Sequence, residues 1–417
     1  MQIFKFGGAS VNNVDRIKKA AQILYQYKNE KTLVVISAMG KTTNELELVV
    51  HAFYEKDTDK SLALFHEIKR KHLDIAAELL KKPLPVLLDF FTEVEWLLHD
   101  KPVKHFDYFY DQVVCIGELL STAIVSAYLN ETGLENKWLD VRDIFRTDNN
   151  FRDAMIDYQQ TTLNIHETVW PQFETSSLVI TQGFIGATSD NESTTLGREG
   201  SDFSAAVFAN ILDAENLIIW KDVPGVMNAD PKKFPDAVLI PELSYVEVIE
   251  MAYYGAQVIH PKTIKPLQNK QIPLYVKSFL DPSLPGTLIK KQLLINLPPV
   301  IVFKENQVMI EFRTRDFSFV GEEHVTRLYQ IFKQHKLTPN LTQNTAISFL
   351  CVMDDHEEKI EQLSLESAEV FEVNVTRELQ LLTVRHFKEA HLNDIIKERT
   401  ILLRQETKDV VQVLMAG

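Results

Sequence analysis

The chain has 417 residues, 45% of them hydrophobic and 24% charged, which is the texture of a folded globular protein with room for two or three domains. Its 44 Lys and Arg against 58 Asp and Glu leave a net charge of −14, excluding a nucleic-acid or anionic-membrane binder whose affinity rests on a basic face. No apolar run approaches the ~20 residues of a membrane span, and the N-terminus is not signal-like. Cys115 and Cys351 make neither a metal nor a redox spacing, so a reduced, cytoplasmic protein is expected.

Ile3 to Phe6 alternates and stops at Gly7-Gly8, a strand running into a tight loop. Asn12 or Asn13 can cap a helix whose buried face is Ile17, Ala20, Ala21 and Leu24, and the apolar run from Leu33 to Ile36 is a buried strand. This strand–helix–strand order predicts a parallel sheet with crossover helices. Residues 57–105 lack glycine and break at Pro83, Pro85 and Pro102, predicting two or three helices inserted beside the sheet. Tyr108 to Tyr128 reads as one long helix with Gly117-Glu118 inside it. Leu178 to Thr181 and Leu217 to Trp220 are further buried strands, each followed by polar, glycine-containing sequence. Lys262 to Gln268 is a helix and Leu274 to Lys277 the last strand of this part. Pro298-Pro299 marks a linker. Beyond it come strands at 308–312 and 346–353, helices at 322–334, 356–363 and 391–397, a hairpin at 370–375/379–384, and strands at 401–403 and 410–414.

Chemistry points to the first two thirds, because seven short glycine spots fall before residue 260. Lys5 precedes Gly7-Gly8, where successive backbone N–H groups can form an anion nest or simply a turn. The sequence is neither a Walker A nor a dinucleotide fingerprint. Arg198, between Gly197 and Gly200, suits bidentate capture of a carboxylate or phosphate, or a solvated loop. Ser201 reads as an N-cap. Lys221 and Asp222, and Asn228, Asp230 and Lys232 after them, suit a nucleotide with its metal or a surface turn. Glu118 stands in an apolar helix, where a carboxylate is seldom left unpaired. His260 before Pro261 reads as a helix-entry residue.

KFGGASV (5–11), SAMGKTTN (37–44), GELLS (117–121), TQGFIG (181–186), TLGREGSDFSAA (195–206), WKDVPGVMNADP (220–231) and YYGAQVIHP (253–261) occur in one order. By them the chain resembles the aspartate kinase family over essentially its whole length. The resemblance implies an α/β amino-acid-kinase fold over residues 1–290, an eight-stranded, largely parallel sheet sandwiched by helices, with the helical insert at 57–105. It also implies an α+β ACT-like regulatory region over 300–417. The implied reaction is phosphoryl transfer from ATP, with Mg²⁺, to the side-chain carboxylate of L-aspartate, giving 4-phospho-L-aspartate on the way to lysine, threonine and methionine.

The family's roles are implied residue by residue. Lys5 and the backbone of Gly7, Gly8 and Ala9 would hold the transferring phosphoryl group, and Asp202 would position Lys5. Glu118 would take the substrate ammonium and Arg198 its α-carboxylate, with Ser37, Thr43, Phe184 and Ser201 lining the amino-acid site. Lys221, Asp222, Asn228, Asp230, Lys232 and Gln257 would surround the nucleotide, with no side-chain metal cage. Lysine or threonine would act on the ACT-like region of a homodimer or higher homo-oligomer, with no nucleic-acid or membrane partner. The chain departs from the family pattern at Ala9 (usually Thr), Glu199 (usually Gly) and Gln257 (commonly Lys), and its tail is short for two ACT modules. Rival readings are a kinase for glutamate, acetylglutamate or a nucleoside monophosphate, and a catalytically silent amino-acid sensor. The GELLS helix, the helical insert and the ACT-like tail weigh against the first. Retention of Lys5, Glu118, Arg198 and Asp202 weighs against the second.

Overall fold

The computed structural model describes residues 1–256, 259–292, 296–397 and 399–417. They form two compact units, Met1–Val226 with Leu239–Ile249 and Val258–Ile295, and Met227–Val238 with Glu250–Gln257 and Asn296–Gly417. Residues 227–238 and 250–256 thus leave the first part of the chain and pack with the last.

The first unit carries strands β1 (Gln2–Phe6), β2 (Thr32–Ile36), β3 (Lys137–Trp138), β4 (Leu178–Gln182), β5 (Ile185–Ala187), β6 (Ser193–Thr195), β7 (Asn216–Lys221), β8 (Glu242–Ser244), β9 (Leu274–Ser278) and β10 (Thr287–Lys290). Eight of them make one sheet in the order β3-β4-β2-β1-β7-β9-β10-β8, parallel throughout except between β9 and β10. Every residue of β2 and β4 is buried, as strands covered on both faces require. β8 and β10 extend the sheet past the strand at 274–277 that reads as the last one. Glu242–Ser244 is too short to show a period, and β10 lies beyond the Pro285-Gly286 break.

Helices α1 (Val14–Gln26), α2 (Thr42–Tyr54), α3 (Thr58–Leu79), α4 (Val86–His99), α5 (Phe106–Val114), α6 (Ile116–Glu131), α7 (Tyr158–Asn164), α8 (Gly200–Ile211), α9 (Tyr245–Tyr253) and α10 (Pro261–Lys270) complete this part of the chain. Asn13 caps α1, its side chain accepting from the Arg16 N–H at 3.0 Å. The expected single helix from Tyr108 to Tyr128 is interrupted at Cys115, which keeps right-handed helical angles, so α5 and α6 are separated by one residue. Phe106–Glu131 is long and apolar enough to cross a membrane, contrary to the reading of the sequence, but 83% of its apolar window is buried inside the fold, as a core helix is.

The second unit is built on one antiparallel sheet of β11 (Val300–Thr314), β12 (Leu341–Asn344), β13 (Ser348–Asp354), β14 (Phe371–Arg385), β15 (Ile401–Glu406) and β16 (Val410–Ala416), in the order β12-β13-β11-β14-β16-β15. Its helices are α11 (Glu322–Gln334), α12 (Glu357–Ser367) and α13 (Glu389–Ile396). The hairpin expected at 370–384 is instead the single strand β14. Its middle is a register break, with Glu378 at φ 59° in β14 and Asn306 at φ 52° in β11, and a bulge has the polar signature of a turn. The shared strands β11 and β14 carry two cores, one around Phe312, Phe332 and Phe349 and one around Leu382, Val411 and Val413. Two module-like halves therefore fit into a tail too short for two separate sheets.

Candidate active site

Parallel pairing brings strand ends to one level. Phe6 is in register with Ile36 and Trp220, and Ile36 with Gln182, so the loops after β1, β2, β4 and β7 meet at one edge. They line a cavity of about 580 Å³, the size of a small-ligand site. Two glycines are required by close approach. A Cβ on Gly8 would lie 2.6 Å from the Ala38 carbonyl oxygen, and one on Gly183 would lie 2.6 Å from Ser201 Cα. At the ends of β1 and β7 Phe6 stacks on Trp220 with centroids 6.0 Å apart.

At the centre Lys5 Nζ lies 2.6 Å from Asp202 Oδ1, and both side chains are almost completely buried. Lys5 comes from the last turn of β1 and Asp202 from the first turn of α8, where the helix N-terminus favours negative charge. Burial pushes the Asp202 carboxyl up, but Lys5 and Lys221 outweigh it and hold the group below its usual range. Asp202 is thus a fixed anion, and it holds the Lys5 side chain in place in the cavity.

Glu118, in the first turn of α6, is the opposite case. It is 2% exposed, and one carboxylate oxygen accepts the Ala38 N–H at 3.2 Å while Oε2 has no partner among the described residues. Burial raises its pKa to about 8, against the weaker pull of its backbone hydrogen bonds and of Lys5. A carboxyl left this way is suited to a cation supplied by a ligand. Arg198 is exposed at the mouth and forms no ion pair among the described residues, so its planar fork is available to an anion.

The cavity brings together Lys5, Gly7, Gly8, Ala9, Ser37, Thr43, Glu118, Phe184, Arg198, Ser201, Asp202, Lys221 and Asp222. Asn228, Asp230 and Lys232 are not among its lining. They belong to the 227–238 segment of the second unit, where Asn228 Nδ2 donates to the Pro299 carbonyl at 2.9 Å and its Oδ1 accepts the Val238 N–H at 2.7 Å. Gln257 lies outside the described residues. Ser201 is not the N-cap of α8; Glu199 holds that position, in the left-handed region at φ 53°. His260 is the N-cap of α10, its Nδ1 accepting the Lys262 N–H at 3.2 Å.

The sequence gives no sign of Tyr110, Arg152 or Thr195, which also line the cavity. Tyr110 and Thr195 read only as a helix residue and a loop residue, and Arg152 lies in a stretch for which the sequence offers no reading. What joins them is Asp111, fully buried on α5, which accepts the Thr195 N–H (2.8 Å) and hydroxyl (2.7 Å) and the Arg152 N–H (3.0 Å). Burial lifts the Asp111 carboxyl to about 7 in spite of these donors.

The loop carrying Arg198 is anchored from both sides. Glu199 Oε2 accepts the His260 N–H at 2.9 Å, and Lys262 Nζ donates to the Leu196 carbonyl at 2.9 Å and to Asp153 at 3.1 Å. A glycine at 199 would adopt φ 53° without strain but would lose the first of these anchors.

The sequence model of the amino acid kinase family matches residues 1–278. Among curated relatives, the lysine-sensitive aspartokinase 3 of Escherichia coli is 30% identical over 357 residues, covering 84% of this chain and 78% of the relative. A bifunctional aspartokinase/homoserine dehydrogenase of Arabidopsis thaliana is 35% identical over 301 residues, 70% of this chain. The chain spans about a third of the length of such bifunctional relatives. Among solved structures, E. coli aspartokinase III in complex with lysine and aspartate superposes with a TM-score of 0.81 at 26% identity, covering all of this chain and 96% of that one. The strand-end loops, the Lys5–Asp202 pair and this similarity over most of both chains agree: the chain belongs to the amino acid kinase family, among the aspartokinases.

Proposed function

We propose that the chain is an aspartate kinase, transferring the γ-phosphoryl group of ATP to the side-chain carboxylate of L-aspartate. The observation that carries this is one cavity holding a fixed Lys5–Asp202 pair, a buried carboxyl at Glu118 without a cation, and an uncommitted guanidinium at Arg198. These are the complements of a phosphoryl group, an α-ammonium and an α-carboxylate. The E. coli relative has been solved with aspartate and ADP, in line with this reading.

In the reaction an oxygen of the substrate's ionised carboxylate attacks the γ-phosphorus. The bond to the β,γ-bridging oxygen breaks and ADP leaves. The nucleophile has no proton to lose, so no general base is required, and the chain's work is positioning and charge neutralisation. Lys5 Nζ and the backbone N–H groups of Gly7, Gly8 and Ala9 face the transferring oxygens, with Asp202 fixing Lys5 in place. Lys221 and Asp222, at the end of β7, stand on the nucleotide side.

No cluster of three or more His, Cys, Asp or Glu side chains converges among the described residues. Mg²⁺ would arrive on the nucleotide phosphates, with the exposed carboxylate of Asp222 as its protein ligand. Bound there, the ion would neutralise phosphate charge. We further infer that the second unit responds to lysine or threonine and that the chain self-associates, the first because the E. coli relative is lysine-sensitive.

The test is a Mg²⁺–ATP assay with hydroxylamine trapping of acyl phosphate. Hydroxamate from L-aspartate and not from L-glutamate is the expected result, and adding lysine or threonine reports on the second unit. No product from folded protein would favour a sensor. Glutamate preference would overturn the substrate.

Two substitutions probe the mouth. Arg198→Ala should raise the KM for aspartate about 10- to 100-fold with little change in the KM for ATP, the scale of a lost charge-assisted hydrogen bond. An unchanged aspartate KM would remove Arg198 from the clamp. Glu199→Gly should relieve ~1 kcal/mol of backbone strain yet raise the aspartate KM severalfold, because the Arg198 loop loses its hold on the His260 N–H. Glu199→Gln keeps an acceptor and should behave as wild type in the same steady-state assay. Equal KM values in all three proteins would show that the anchor does nothing for binding.

A further inference from the structure

Among the described residues twelve non-glycine positions have positive φ, and three of them line the cavity: Arg152 (φ 70°), Phe184 (φ 70°) and Glu199 (φ 53°). Phe184 and Glu199 flank segments already assigned to the substrate. Arg152 does not. An arginine is disfavoured in the left-handed region, so its surroundings must impose that backbone. They do so through buried Asp111, whose Oδ2 accepts both the Arg152 N–H (3.0 Å) and the N–H of cavity-lining Thr195 (2.8 Å).

The imposed backbone aims the guanidinium. It lies over the Tyr110 ring at 4.2 Å, with Nη2 2.9 Å from Glu47 and Nη1 3.5 Å from Asp107. These contacts engage two of the five N–H donors a guanidinium carries and fix its plane. The rest are uncommitted, and the side chain is 40% exposed where it lines the cavity. Its loop also abuts the Arg198 loop: a Cβ on Gly197 would lie 3.3 Å from the Arg152 carbonyl oxygen and 2.6 Å from Asp153 Oδ1. A strap joining Glu47 to Asp107 alone would need neither a left-handed backbone nor a buried carboxylate to hold it.

We propose that Arg152 is a second carboxylate-binding cation of the amino-acid end, gripping the substrate's α-carboxylate together with Arg198. The assignment of that carboxylate to an amino-acid substrate rests on the aspartate kinase reading above. The strain at residue 152 is retained because a relaxed backbone would turn the guanidinium away from the cavity. Glu47 and Asp107 then act as a cradle that holds the fork at a fixed angle before substrate arrives, so that little side-chain freedom is lost on binding.

The discriminating variant is Arg152→Gly, which accepts φ 70° without strain and lacks the guanidinium; Arg152→Lys keeps charge without the fork. Titration calorimetry on the full chain would use L-aspartate, L-glutamate and the α-amide of aspartate, which has no α-carboxylate. Arg152→Gly should weaken L-aspartate binding about 10- to 100-fold and leave any binding of the α-amide unchanged. Arg152→Lys should recover part of the loss. The aspartate KM should rise in parallel, with kcat and the KM for ATP within about twofold and no fall in thermal midpoint. Unchanged L-aspartate affinity, or an equal loss for aspartate and its α-amide, would overturn the proposal, the second result marking Arg152 as purely structural. If the wild type binds L-aspartate or L-glutamate but forms no hydroxamate, the kinase reading fails while the titrations still decide Arg152. If it binds neither, the proposal falls.

Discussion

Lys5→Ala is expected to lower kcat about 100- to 1000-fold, the usual effect of removing one donor aimed at transition-state charge. Lys5 Nζ projects from the end of β1 into the cavity beside the Gly7-Gly8 loop, and Asp202 at 2.6 Å leaves it one orientation. The charge on the transferring oxygens must be met at this point, since no other buried cation lines the cavity among the described residues. The same substitution strips Asp202 of its main partner. An uncompensated buried carboxylate costs ~3–5 kcal/mol when its pair is broken, and here Lys221 retains part of the compensation. Thermal midpoint and kcat therefore have to be read together. Lys5→Arg keeps the pair and should restore stability before it restores rate, because the longer, planar group cannot place a single N–H where the ammonium sits. A folded Lys5→Ala enzyme with near-wild-type kcat would dismiss Lys5 from phosphoryl transfer.

Glu118→Gln should move stability and binding in opposite directions. In the folded chain burial puts the carboxyl pKa near 8, above the ordinary value of 4.5. Between those values the folded state holds a proton that the unfolded state has lost, so stability falls as pH rises through the window. The penalty is absent below about pH 4.5 and complete above about pH 8. Glutamine, permanently neutral and nearly isosteric, avoids it and can still accept the Ala38 N–H. The variant should match wild type in acid and exceed it by on the order of a few kcal/mol at pH 8 to 9, measured by thermal or urea unfolding across pH.

Binding should suffer by ~100-fold or more in aspartate kcat/KM, because no anion then meets the α-ammonium in a dry site. In the wild type, aspartate binding at neutral pH should release a proton as Glu118 ionises against that ammonium. Calorimetry in buffers of different ionisation enthalpy would show it. A Glu118→Gln variant with the wild-type stability–pH profile and an unchanged aspartate KM would refute the assignment of Glu118 to the ammonium.

Much of the first unit can be read from the residues alone, because its signals are local. Four buried apolar runs, each stopped by glycine or polar residues, define β1, β2, β4 and β7. Parallel pairing then obliges their following loops to share one edge, which is why Lys5 and Asp222 could be singled out without coordinates; Arg198 stood out by its flanking glycines, and the role of Asp202 came from the family resemblance. The lone glutamate in an apolar helix was equally legible, since burying a carboxylate without a partner is costly. Signals failed where one local pattern has two meanings. Glu378 and Asn306 look like turn residues and are bulges in strands that continue through them. Ser201 looks like a cap, but the chain turns into α8 two residues earlier, with Glu199 as the N-cap.

The rest was decided by tertiary structure. Asn228, Asp230 and Lys232 follow β7 in sequence yet pack with the second unit, because Asn228 hydrogen-bonds across to Pro299, 71 residues away. Arg152 acquires its place from Asp111, 41 residues before it, and nothing in either local sequence announces that bond. The sequence by itself determined five strands of the sheet (β1, β2, β4, β7 and β9), the glycine loops and the charges set at strand ends, all fixed by spacing along one strand or one helix turn. Only the folded chain decided which carboxyl is fixed as an anion and which is held neutral. Asp202 and Glu118 are both buried acids in the first turn of a helix, and what separates them is a lysine ammonium 2.6 Å from one, where the other has the Ala38 N–H at 3.2 Å and no ion pair among the described residues.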